Sequence, residues 1–199
     1  MRASFDRLIS WTGVLLAAFL LLLGGMLTFA YVYIGDEVDA QLSQQDITMP
    51  KGPALESLPP ADQAALKPYA GSPMDTGPEA RAYADHYIQA HMNASSGGKS
   101  YSEISGQYVA MTPEQKASPE GQELAGLRAT LFQGNTLRGL LLYGAAFATM
   151  GTIAGIAAIA AFIAAVILLV FGVLGLRHAS RIEKATAGGP ATVGQPAAS

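Results

Sequence analysis

Between Arg138 and Arg177 the chain runs for 38 residues without a charge, a proline, an asparagine or an aspartate, where about 20 apolar residues suffice to cross a bilayer. As a helix rising 1.5 Å per residue the stretch would be roughly 57 Å long, nearly twice the hydrocarbon thickness, and tilt alone does not absorb such an excess. Two readings are open, one long helix or a hairpin. A hairpin needs a turn whose polar backbone groups are satisfied, and Gly151, Thr152 and Gly155 are the only candidates. Glycine and threonine are common in membrane helices, however, and Gly151 and Gly155 have the GxxxG spacing that lets two helix backbones approach closely. Composition also divides the stretch. Bulky residues crowd 156–176, whereas 139–155 mixes small residues with Tyr143, Phe147 and Met150. One long helix is expected over 138–176, its second half crossing the lipid. Its first half would project outside and bury its side chains against the rest of the protein or a partner.

A first apolar run covers residues 10–34, after a short N-terminal segment, 1–9, that carries Arg2 and Arg7. Trp11 at one end and Tyr31 and Tyr33 at the other suit the two membrane interfaces. A cleaved signal peptide ending at Ala30 is the rival reading, but the run is about twice a normal signal core, so an uncleaved transmembrane helix is expected. Basic residues near span ends stay in the cytoplasm. Here they are Arg2 and Arg7 before the first run and Arg177, Arg181 and Lys184 after the second. Both termini are therefore expected in the cytoplasm, with residues 35–137 outside the plasma membrane and 177–199 a cytoplasmic, disordered tail that is small-residue low complexity from Ala185.

Residues 35–137 hold thirteen Asp and Glu against six Lys and Arg, a net −7. No basic cluster with interleaved aromatics occurs, so nucleic acid is not an expected partner. The chain has no cysteine, which removes disulfide frameworks, thiolate metal sites and cysteine nucleophiles. Within the outer segment, Thr76 and Glu79 form a capping box with Pro78 in the first turn. Ala80, Tyr83, Ala84, Tyr87, Ile88, His91 and Met92 then share one helical face, predicting a helix over about 78–92. Gly97 and Gly98 break it, and Ser100 with Glu103 restarts a short helix. Thr112 with Gln115 and Ser118 before Pro119 signal further starts, the last leading towards the membrane stretch with Gly134 and Asn135 as a possible kink. Upstream, prolines leave room only for a two-turn helix around 61–66. Leu, Ile, Val and Phe make up about a seventh of the outer segment, below the roughly 20% at which isolated chains tend to disorder. Tyr83, Tyr87, Tyr101, Tyr108 and Phe132, with methionines and alanines, are therefore expected to supply its packing.

No catalytic residues, cofactor or metal site are expected. His86 and His91, five apart on a helix, point about 140° from each other and cannot share an ion. Asp85 and Glu103 are available as acids, but nothing singles them out. The GGKS run at 97–100 lacks the earlier glycine of a phosphate loop and reads as a turn plus a cap, and Asn93 heads a glycosylation triplet that has meaning only in a secretory pathway. No ionisable residue lies inside either apolar run, which argues against a proton relay or ion pathway. The sharper signal is small residues. Gly24, Gly25 and Thr28 on the first span, and Gly144, Ala148, Gly151 and Gly155 on the second stretch, are candidates for close helix packing within the chain, with another membrane protein, or by self-association.

The runs QDITMP, TGPEARAYADHYIQAHM, GGKSYSEIS and RATLFQGNTLRGLLL resemble those of an uncharacterised family of actinobacterial two-span membrane proteins. Gly97, Gly98, Lys99, Tyr101, Glu103, Leu131, Phe132 and Arg138 are the matching positions, over residues 45 to about 176. The resemblance implies a bacterial plasma membrane and no known reaction. Such proteins sometimes carry a ring-opening dioxygenase label, but this sequence lacks a ligand set for its iron. The expectation is an all-α membrane protein with two transmembrane helices, the second long and projecting outside, and a small helical extracytoplasmic segment. The expected role is a non-enzymatic accessory or assembly subunit of a larger membrane complex, or alternatively an anchored module that binds or senses an extracytoplasmic ligand.

Overall fold

The computed structural model describes residues 2–187. Its elements are helical: α1 (Arg2–Ser43), α2 (Pro53–Glu56), α3 (Pro60–Leu66), a 3-10 turn (Lys67–Tyr69), α4 (Gly77–Ala82), a π-helical segment (Tyr83–Ile88), α5 (Gln89–Ser96), α6 (Tyr101–Ala110), α7 (Pro113–Ala117) and α8 (Pro119–Ala187). Among the described residues there is no strand, only an isolated bridge between Thr48 and Pro73. Helices α1 and α8 are both long and apolar enough to cross a membrane, and only 11% and 22% of their most apolar windows are buried. Through 138–177, and through Gly134 and Asn135, α8 is unbroken. The expected disordered tail is corrected over 177–187, which is helical; this stretch is rich in Ala, Arg, Glu and Lys, all good helix formers. The rest of that tail lies outside the described residues. Helix α1 continues nine residues past the apolar run, to Ser43, and ends where Asp46 adopts a positive φ of 51°.

The chain divides into two compact units, one made of residues up to Tyr31 and from Ile153 onward, the other of Val32–Thr152. In the first, α1 and α8 pack along small residues that recur every seven positions. Ser10, Ala17 and Gly24 are buried on α1, and Ala158, Ala165, Gly172 and Ala179 on α8. A seven-residue repeat keeps one seam facing its partner and imposes a left-handed supercoil. The helices run antiparallel. A Cβ on Gly172 would come within 2.8 Å of Val14 Cγ2 and 3.1 Å of the Ser10 carbonyl, and one on Gly175 would collide with Ser10 Oγ. Farther along, the Phe162 ring sits over Gly24 and the Tyr31 ring over Gly155, each 2.9 Å from the position a Cβ would take. Ser10 donates its hydroxyl to the Asp6 carbonyl at 2.7 Å, so its burial leaves no unpaired polar group.

In the second unit the core is assembled from modest side chains. Met49, Leu66, Met74, Ile104 and Leu131 are the largest fully buried ones, joined by Val38 and Leu42 of α1, Leu141 of α8 and several alanines. Small residues again admit close neighbours. Gly77 of α4 lies against Ala145 and Ala148, and Met92 of α5 presses on Gly134. The predicted helix over 78–92 is present but is interrupted by the π-helical segment, where Gln89 N–H bonds back to the Ala84 carbonyl. Ser100 and Glu103 cap α6 reciprocally, at 2.8 Å and 3.2 Å, and Thr112 and Gln115 cap α7 in the same way. Gly97 and Gly98 take φ of 63° and 81° between α5 and α6, a left-handed turn costly for any side chain with a Cβ.

Glu79 holds the loop before α4. It is 8% exposed, yet accepts from the Ser72 hydroxyl at 2.8 Å, the Asp75 N–H at 3.2 Å, and the Thr76 N–H and hydroxyl at 3.1 Å and 2.7 Å. Burial by itself raises the pKa of this carboxyl, but the hydrogen bonds outweigh it and hold the group below the usual carboxylate range. Because the folded pKa is depressed, the stabilisation is complete above the unfolded value of about 4.3 and is lost as pH falls through the folded one. Glu79→Gln should lower stability at neutral pH by about 2 kcal/mol and flatten the acid limb of a stability-versus-pH curve in detergent. An unchanged acid limb would rule out this role. The seam in the first unit is checked by disulfide trapping in this cysteine-free chain. The Ser10 Cβ lies 3.3 Å from the position of a Gly175 Cβ, near the roughly 3.5–4.5 Å that a disulfide spans. The double variant S10C/G175C should therefore oxidise within one chain, seen as loss of both free thiols without dimer formation.

Candidate functional site

Two adjacent residues of the π-helical segment reach different elements. Asp85 accepts from Arg138 Nη2 of α8 at 2.7 Å, and both side chains are 31% exposed. His86 Nδ1 meets Asp62 of α3 at 2.8 Å. Neighbours on a helix point about 100° apart, so one turn ties α3 on one side and α8 on the other. His91 turns away, its Nδ1 on the Tyr87 carbonyl at 2.8 Å and its ring 4.4 Å from the Tyr87 ring. Glu103 is occupied by the α6 cap. Among the described residues no three His, Asp or Glu side chains gather as a metal site. Of the acids considered from sequence, Asp85 thus ties two elements together and Glu103 caps its own helix.

The small residues singled out from sequence fall into separate places. Gly24 accepts Phe162, and Gly155 accepts Tyr31. Thr28 donates to the Gly24 carbonyl at 2.8 Å, and Gly25 has no neighbour within 4 Å of a Cβ. Gly151 is buried. Ala148 meets Gly77, and Gly144 lies 3.6 Å from Leu42 Cδ2. Gly24 and Gly155 therefore receive aromatic side chains of the opposite helix. Of the aromatic residues, Tyr83, Tyr87 and Tyr101 pack at the core edge, and burial, with Tyr87 beside it, pushes the Tyr83 phenol up. Tyr108 carries cations, with Lys116 Nζ and the Arg128 guanidinium each 5.4 Å from its ring centre. Phe132 is 58% exposed, because Leu131 takes the buried face and its neighbour is turned about 100° away, and its ring lies 5.8 Å from the Tyr101 ring.

Beside Gly144 the second unit opens into a groove of about 550 Å³ between α1 and α8. Ile34, Val38 and Leu42, four apart on α1, form its floor with Leu141. Tyr33, Glu37, Gln41 and Gln45, also four apart, form one rim, and Gln41 donates to Glu37 at 2.9 Å. The other wall is apolar and exposed, made by Leu137, Leu140 and Phe147 of α8. The groove exists because Gly144 contributes no side chain where a larger residue would fill it. It was not legible from sequence, since its polar rim and apolar wall come from helices a hundred residues apart. A smaller recess, about 340 Å³, lies at Tyr101, Arg128 and Phe132. Hydrogen bonds with Ser105 and the Arg128 guanidinium hold the Tyr101 phenol below the usual tyrosine range.

Compared with protein-family models, with curated proteins and with solved structures, the chain matches none. Its chemistry must be read from its own residues. The tie between α8 and the π-helical segment is measured by a double-mutant cycle. Asp85→Ala and Arg138→Ala should each destabilise, and the coupling should be about 0.5–1 kcal/mol for a half-exposed pair. Additive losses would show that the pair does not tie the elements.

Proposed function

We propose that the chain is a non-enzymatic, two-span plasma-membrane protein serving as an accessory or assembly subunit of a larger membrane complex. Both termini lie in the cytoplasm and residues 35–137 outside, and the resemblance to two-span bacterial proteins fits this placement. The observation that supports the role most is the apolar surface of the second unit. Leu140, Tyr143 and Phe147 are 63%, 69% and 53% exposed beside the groove floor, and contiguous exposed apolar surface of this kind marks an interaction site. Asp62 and Asp85 are held in ion pairs, and Glu79 and Glu103 in caps. A second reading, an anchored ligand-binding or sensing module, draws on the recess at Tyr101 and Phe132, where Arg128 supplies a cation.

Native electrophoresis after extraction in mild detergent should show the chain in an assembly larger than its own monomer with bound detergent, containing a second membrane protein in fixed ratio. A well-folded monomer alone would sink the subunit reading. A reporter fused after Lys184 should be active only in the cytoplasm, and activity outside the cell would overturn the orientation.

A further inference from the structure

We infer that the groove between α1 and α8 in the second unit receives an α-helix of a second membrane protein, one with an apolar face and a basic residue placed against Glu37. This rests on the subunit role proposed above and names the partner surface. The groove is shaped for a helix. Its α1 side runs from Tyr33 to Leu42, about 14 Å or two and a half helical turns, and its walls are two rows of side chains from antiparallel helices, the arrangement into which an amphipathic third helix lays its apolar stripe. Its lower end begins at Tyr33 and Ile34, where the apolar run of α1 ends, so a helix continuing outward from a partner's own span enters it directly.

Charge selects the occupant. Glu37 is exposed on the polar rim and Asp36 is exposed next to it in sequence, and among the described residues neither has an ion-pair partner. Residues 32–46 contain no Lys or Arg, and Arg138, the single cation of α8 between 129 and 176, is already engaged by Asp85. The rim is therefore negative and uncompensated. A phospholipid would bring a phosphate beside these carboxylates, and a second copy of this chain would bring the same carboxylates against themselves; both are repelled. A Lys or Arg on a partner helix relieves the repulsion and fixes the helix in register.

The test uses the full chain in its native membrane, with a photo-crosslinking amino acid at Leu140 on the apolar wall and, as a control in the same unit, at exposed Phe132. Position 140 should form an adduct with one other membrane protein, mapped by mass spectrometry to an apolar helical segment bearing Lys or Arg. The variant D36K/E37K should weaken the adduct about tenfold, and exchanging the mapped basic residue for Glu should restore it. Gly144→Leu, which fills the groove, should abolish it. Among the described residues a Cβ at Gly144 would meet Leu42 alone within 4 Å, at 3.6 Å, so an unchanged unfolding temperature of Gly144→Ala and Gly144→Leu would show that the fold survives. An adduct with phospholipid, with a second copy, at Phe132 instead of 140, or one indifferent to charge reversal overturns the inference. If the native assembly persists in variants with the groove filled, the groove inference fails while the subunit role stands. If the unaltered chain forms no assembly, the role itself fails.

Discussion

In an apolar solvent two apolar helices gain nothing by hiding side chains from their surroundings, and what pairs them is close contact between backbones and well-fitted side chains. The seam of Ser10, Ala17 and Gly24 against Ala158, Ala165, Gly172 and Ala179 answers that constraint. Each position gives up side-chain volume so that the neighbouring helix can approach, and the bulky residues are left to face outward along both helices. Backbone hydrogen bonding is satisfied within each helix, which is the condition for a segment of this kind to exist in lipid at all.

The second unit solves a different problem. With few large aliphatic residues, it gains contact from flexible methionines, from alanines and from glycines that let elements nearly touch, as at Gly77 against Ala148 and Gly134 against Met92. Polar groups then add direction. Glu79 gathers four donors, Asp85 meets Arg138, and His86 meets Asp62. Such contacts add modest stability each, but every one specifies which surface meets which. A core built from interchangeable small side chains lacks that specificity by itself.

Local signals were the legible ones. The boxes at Ser100 and Thr112, the glycine turn at 97–98 and the helix following Thr76 are visible because each depends on residues three or four apart. The π-helical segment was not visible, since no residue between Tyr83 and Ile88 breaks an α-helix. The continuation of α1 to Ser43 was missed because residues 35–43 are acidic and lack an obvious apolar stripe, although Val38 and Leu42, four apart, are buried. The GxxxG spacing drew attention to Gly151 and Gly155, while the seven-residue recurrence at 158, 165, 172 and 179 lay unremarked in an alanine-rich run where small residues are everywhere. The groove needed both helices in place, so no local pattern foretold it.

A seam that repeats every seven residues carries an ambiguity. Sliding one helix along the other by a full repeat, about 10 Å, would bring alanine or glycine opposite much the same neighbours, and the small residues alone would scarcely resist it. Phe162 over Gly24 and Tyr31 over Gly155 break the monotony. A large ring has one empty niche to enter, and a displaced ring would strike a Cβ. These two aromatics act as detents, converting a surface that could slip into one that clicks into a single alignment.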